Sequence, residues 1–210
     1  MSEYNDYIWA QLYNFIGNEY GVAGLMGNLQ AESGNIPYRL QGDFSPDYSR
    51  SITYTNNVNS GVISRSEFIS DSKGYGLAQW TFNTRKDALY DMYINGGYSS
   101  IGDVRLAVDY LIYELQNDYA YIMPTLRNAT SIREASDIVL HEFENPQHQE
   151  PEVERERARL STIIYNEQSG GEPWPVPPIP VPPEPPTPTI AGWVYGAVSD
   201  LIRRKVIYNH

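Results

Sequence analysis

Apolar positions in the first part of the chain recur at three- and four-residue spacing. Tyr4, Tyr7, Ile8, Leu12, Phe15 and Ile16 fall on one helical stripe, and Gly17 and Asn18 follow as natural stop residues. A second helix is expected over roughly residues 22–33, with Val22, Leu25, Met26 and Leu29 on one face. Residues 35–72 change character. They are rich in Ser, Asn, Gly and Tyr, with short β-prone pieces, "SITYT" and "GVISR", that predict loops and a small hairpin. Helical period returns over 84–95, 102–117, 131–144 and 151–166, and Ser131 precedes Glu134 at capping-box spacing. The expected class is mainly α (α+β): a helical body with a small β-hairpin lobe between its second and third helices.

Composition divides the chain. Pro173 to Pro188 holds ten of the fifteen prolines. Such a run excludes helix and sheet and favours extended polyproline II, a semi-rigid spacer of about 50 Å. The expected organisation is a globular domain over 1–168, a Pro-rich linker over 169–189 and an amphipathic C-terminal helix over 190–210. In that tail Ile190, Trp193, Val194, Ala197, Val198, Leu201 and Ile202 form one stripe. It is too short and too charged to span a membrane and suits an anchoring or docking segment.

Charge and residue usage narrow the function. A formal net charge of -11 argues against a nucleic-acid partner, whose phosphates need basic neutralisation. The absence of cysteine removes disulfides, Cys-ligated zinc and thiol nucleophiles together. The N-terminus lacks a basic start and an uninterrupted apolar stretch, so no signal peptide is expected, and no window reaches the roughly 20 apolar residues of a membrane helix. The 18 tyrosines suit a core that also offers binding surface.

Three stretches carry candidate chemistry. In "AGLMGNLQAESGNIP" (residues 23–37), Glu32 follows Leu29 by three and Leu25 by seven, at the edge of the apolar face and in the last turn before Gly34. Partial desolvation and the negative end of the helix dipole both favour a protonated carboxyl there, as a general acid requires. The pattern alone also fits a helix-end glutamate turned to solvent. In "SKGYGLAQWT" (72–81), glycines flank Tyr75, and Gln79 and Trp80 follow. An amide beside an indole can read a sugar; the same stretch also fits a tight turn with Trp80 in the core. In "LHEFENPQHQEPEVERERARL", His141, Glu142, Glu144 and His148 gather around Pro146. Two histidines seven apart with a proline between them do not make the metalloprotease pattern, so neither metal nor cofactor is expected. "EPEVERERARL" reads as a solvated helix face laced with ion pairs. No nucleophile elbow, P-loop or dinucleotide fingerprint is present.

Taken in order, "VAGLMGNLQAESG", "GYGLAQWT" with Arg85 four residues after its threonine, and "SIREASDIVLHEFENP" resemble the phage tail-type lysozyme family. This is a branch of the lysozyme-like superfold related to goose-type lysozymes and soluble lytic transglycosylases. The resemblance covers most of residues 5–166 and leaves out the spacer and tail. It implies a peptidoglycan-degrading glycosidase of phage origin acting on the β-1,4 bond between N-acetylmuramic acid and N-acetylglucosamine. Glu32 matches the glutamate that protonates the glycosidic oxygen. Tyr75, Gly76, Gln79 and Trp80 would lie along the cleft, with Phe143 and Glu144 supporting or lining it. Asp43, Glu67 and Asp71 are candidates for a second carboxylate, and Asp71, just before the Gly-rich motif, is preferred. Members of the wider superfold also work with one glutamate, the substrate's 6-hydroxyl attacking to give a 1,6-anhydro product. A wall-binding tail component without activity is the remaining alternative. Bacterial peptidoglycan is the expected partner, with phage tail or other virion proteins docking through the C-terminal helix. The expected location is the virion tail or, as for an endolysin, the host cell wall.

Overall fold

In the computed structural model, which describes residues 2–145 and 150–169, Asn18 starts the helix around which the rest is built. Its side chain accepts from the Gly21 amide at 3.0 Å and donates to the Ala129 carbonyl at 3.1 Å, capping the helix and tying it to a distant loop. This helix, α2 (Glu19–Ser33), follows α1 (Asn5–Ile16) and ends where Gly34, at φ 71°, donates its N–H to the Gln30 carbonyl. The expected single apolar face is broader in the structure: Gly21 through Leu29 are all buried. Small residues allow this. A β-carbon on Gly24 would stand 2.5 Å from the Ala135 β-carbon, and one on Gly27 would stand 2.0 Å from Ser161 Oγ. Helices can therefore cross α2 almost backbone to backbone.

The crossing helices are α8 (Ile132–Ile138) and α9 (Pro151–Gln168), with α1 and α7 (Met123–Asn128) closing the other sides. A π-helical turn, Val139–Glu144, continues α8 and ends at Asn145, whose N–H reaches back to the Leu140 carbonyl at 2.9 Å with φ 40°. At the start of α8 Ser131 accepts from the Glu134 amide as expected, but the Glu134 carboxylate goes to Thr130. Opposite this body lie α3 (Ser49–Asn59), α4 (Arg65–Ser70) and α5 (Asn83–Asn95). Between them runs α6 (Val104–Gln116), which touches both α1 and α5 and leads into a 3₁₀ turn, Ala120–Ile122.

The expected hairpin is replaced by α3 and α4. "SITYT" lies inside α3, where Ser51, Tyr54, Thr55 and Val58 form a buried stripe at helical spacing. Burial of that stripe outweighs the weak strand preference of Ile52, Thr53 and Thr55. "GVISR" becomes the turn into α4, whose start is a full capping box between Ser64 and Glu67. Among the described residues β pairing is confined to two isolated bridges, Leu40 with Tyr75 and Tyr75 with Trp80. The lobe facing the body is thus helical, and the chain remains mainly α. None of the described helices is long and apolar enough to cross a membrane. The expected linker and amphipathic tail lie outside the described residues.

Candidate active site

A cleft of about 470 Å³ opens between the end of α2 and the opposite lobe. Glu32 enters it from the last turn of α2, Gln79 from the Gly-rich turn, and Glu144 from the end of the π-helical turn. These three, expected from motifs far apart in sequence, line one cavity.

Glu32 does not stand alone. Arg157, on α9, donates Nη2 to Glu32 Oε1 and Nη1 to the Asn28 carbonyl at 3.0 Å. The helix expected to be a solvated, charge-laced face is so only in part. Glu152 with Arg155 and Glu156 with Arg159 do form surface pairs, but Arg157 turns inward and is 8% exposed. It belongs to the stripe Arg157, Ser161, Ile164 and Gln168, the buried face of α9.

Glu144 has the opposite environment. Its Oε1 is sealed from solvent and meets no hydrogen-bond partner among the described residues. The nearby cations are already engaged: Arg157 by Glu32, and Arg85 by Glu114, through Nε at 2.6 Å and Nη2 at 2.8 Å. Burial first, and the negative charge of Glu32 second, push the Glu144 carboxyl up to about 8, against the smaller opposing effects of Arg85 and Arg157.

The Gly-rich motif acts mostly as a frame. Tyr75 and Trp80 have no exposed surface. Trp80 donates its indole N–H to Glu114 at 2.8 Å, and Tyr75 shares a hydrogen bond with Thr55 at 2.7 Å. Gly76, at φ 78°, lies against the Trp80 ring, where a β-carbon would come within 2.6 Å. Gln79 sits at the turn with φ 47°, its amide donating to the carbonyls of Arg39 (3.1 Å) and Gly76 (3.0 Å). Phe143 is buried edge-on against Tyr119 at 4.7 Å, beneath Arg85. Tyr75, Gly76, Trp80 and Phe143 therefore support the cleft from behind, without lining it.

Asp71 does not line the cleft either. It accepts from Lys86 and Tyr54, and these bonds outweigh burial and hold its carboxyl below its ordinary range. Asp43 is buried under hydrogen bonds from Ser45 and Ser51, and Glu67 is the capping acid of α4. Each of the three candidate second carboxylates is engaged elsewhere.

Sequence reasoning passed over the aromatic residues that do face the cleft. Phe44 is 90% exposed and Phe82 72% exposed, and both line it, with Arg39 stacked on Tyr48 and Arg85 beside them. Nothing in a one-dimensional pattern separates such a phenylalanine from a core residue. No curated protein and no solved structure matches the chain. A family model does, over residues 3–166, and on that match the chain belongs to the phage tail lysozyme family.

Proposed function

We propose that this chain cleaves the β-1,4 bond between N-acetylmuramic acid and N-acetylglucosamine in bacterial peptidoglycan, with Glu32 protonating the glycosidic oxygen. The coarser activity, degradation of the bacterial wall by a lysozyme-type glycosidase of phage origin, follows from family membership. The observation that carries the finer reading is the convergence of Glu32, Gln79 and Glu144 on one open cleft rimmed by exposed Phe44 and Phe82. Sugar rings present apolar faces that pack on aromatic side chains, and amides bind their N-acetyl and hydroxyl groups. Arg157 engages only Oε1 of Glu32, which leaves Oε2 for the substrate. Proton transfer to the bridging oxygen releases the 4-hydroxyl of one sugar while positive charge develops on the ring of the other.

The test is Glu32→Gln assayed on purified cell walls. A loss of more than about a hundredfold is expected from removal of the general acid; wild-type rates would reject the reading.

A second reading, transglycosylation at the same bond, has its own support. Asp43, Glu67 and Asp71 are all engaged away from the cleft, so among the described residues the lobe offers no carboxylate to activate a water across the groove. Attack by the substrate's own 6-hydroxyl needs none. Mass spectrometry of released muropeptides separates the two, because the anhydro end is lighter by one water.

A further inference from the structure

The cleft holds a second carboxyl group in a setting unlike the first. Glu144 closes a π-helical turn, an irregularity frequent at functional sites, and Asn145 behind it is held at a positive φ. The backbone is thus shaped to deliver this side chain into the cleft, where burial of an unpaired carboxylate oxygen is otherwise costly. The charged and titratable groups that act on it come from each surrounding element: Glu32 on α2, Arg85 on α5, Glu114 on α6, Tyr119 before the 3₁₀ turn and Arg157 on α9. Arg85 is forked onto Glu114, and Arg157 is shared between Glu32 and the Asn28 carbonyl. Two carboxyl groups therefore face one cavity, one fixed by a guanidinium and the other without one.

We propose that Glu144 is the proton store of the site, a positioning residue that supplies Glu32 with the proton spent in glycosidic cleavage. This rests on the glycosidase reading above. At rest Glu144 carries the proton and Glu32 the negative charge, a division favoured by Arg157 on the one and burial of the other. When the glycosidic oxygen settles against Glu32, a proton passes from Glu144 by way of a water in the cleft to Glu32, and Glu32 delivers one to that oxygen. The bond from the anomeric carbon to that oxygen breaks, and its electron pair stays on the departing 4-hydroxyl. Both carboxylates are then anionic beside the cationic sugar ring. Water, or the 6-hydroxyl, adds to the ring and gives up one proton, which returns to the pair and restores the resting state. The raised proton affinity of Glu144 agrees with this division at neutral pH.

The experiment is the pH dependence of kcat/KM on soluble glycan strands for wild type, Glu144→Gln, Glu144→Asp and Glu32→Gln, with unfolding followed in parallel. The wild-type alkaline limb is expected near pH 8. In Glu144→Gln the limb moves to lower pH and the rate at pH 7 falls at least about tenfold. Glu144→Asp keeps most of the alkaline activity. A Glu144→Gln variant that loses activity equally at every pH, or whose limb does not move, overturns the proposal. So does NMR of protein labelled with carboxyl-¹³C glutamate if Glu144 titrates in the ordinary carboxylate range; that readout needs no activity. Loss of activity in Glu32→Gln with an unmoved Glu144→Gln profile rejects the proton store alone. Full activity in Glu32→Gln rejects the glycosidase reading itself.

Discussion

Arg157 joins Glu32 to Asn28: one guanidinium donates both to the carboxylate at the end of α2 and to a backbone carbonyl one turn earlier. The carboxylate is thereby held against its own helix by a residue 125 positions away. A fork of this kind fixes direction as well as charge, and a lysine, with one ammonium centre, cannot reproduce it.

Arg157→Lys and Arg157→Met are therefore expected to lower kcat by about 10- to 100-fold through misplacement of Glu32, with little change in KM. Loss of charge-assisted hydrogen bonds should also cost about 2 kcal/mol of stability. Steady-state kinetics and chemical denaturation on the same preparations check both. A kcat within twofold of wild type for Arg157→Lys would show that the fork does not position the carboxylate.

Phe44 and Phe82 test the cleft from the other side. Both are largely exposed, and the core does not depend on them. Each alanine substitution should raise KM several-fold, matching about 0.5–1.5 kcal/mol per aromatic contact, with the melting temperature almost unchanged. The double variant should show roughly the product of the two effects if the rings contact separate parts of the glycan. Unchanged KM in both single variants would remove the stacking role.

How far the sequence reveals this site depends on where its information is local. The end of α2 is legible because small residues, apolar residues and Gly34 act within one helix. Gln79 and Glu144 are legible only as parts of an ordered set of motifs. Arg157 is hidden among Glu154, Arg155, Glu156 and Arg159, which look alike in one dimension. Only the small and apolar positions four and seven residues later, Ser161 and Ile164, mark the face that turns inward. Trp80 shows the opposite limit. Its type suits a sugar platform or a core, and Glu114, 34 residues further on, decides for the core by taking its N–H. The hairpin expectation failed because β-branched residues weigh on local propensity, whereas Ser51, Tyr54, Thr55 and Val58 are fixed by what they bury.

Asp43 is expected to matter for stability. Its carboxylate accepts the amides of Ser45 at 3.0 Å and Ser51 at 2.8 Å, together with both hydroxyls, and so anchors the first turn of α3. Burial opposes its ionisation, but these four bonds prevail and hold the carboxyl well below its usual range. A folded-state value below the unfolded one gives stability that is present above the unfolded pKa, near 4, and is lost as pH falls through the folded one. Asp43→Asn should cost about 2 kcal/mol at pH 7, because its amide turns donors toward donors. The gap to wild type should narrow below about pH 4 in urea titrations. A gap independent of pH would show that the carboxylate charge is not what anchors α3.

The contact between α2 and α9 sets the distance that Arg157 must span. Gly27 faces Ser161, and an added β-carbon would lie 2.0 Å from its hydroxyl and 2.5 Å from its α-carbon. Moving the hydroxyl cannot relieve the second clash, so Gly27→Ala must push α9 away from α2. Overpacking of this kind costs about 1–3 kcal/mol. The displacement falls one turn from Arg157, whose carbonyl accepts from Ser161 Oγ at 2.8 Å. Gly27→Ala should therefore lower kcat as well as the melting temperature, although it touches no substrate. Ser161→Ala in the same chain should restore little of either, since the backbone clash persists. Full recovery in that double variant would mean that the hydroxyl alone limits the approach, and that the spacing of the two helices is not fixed by their backbones.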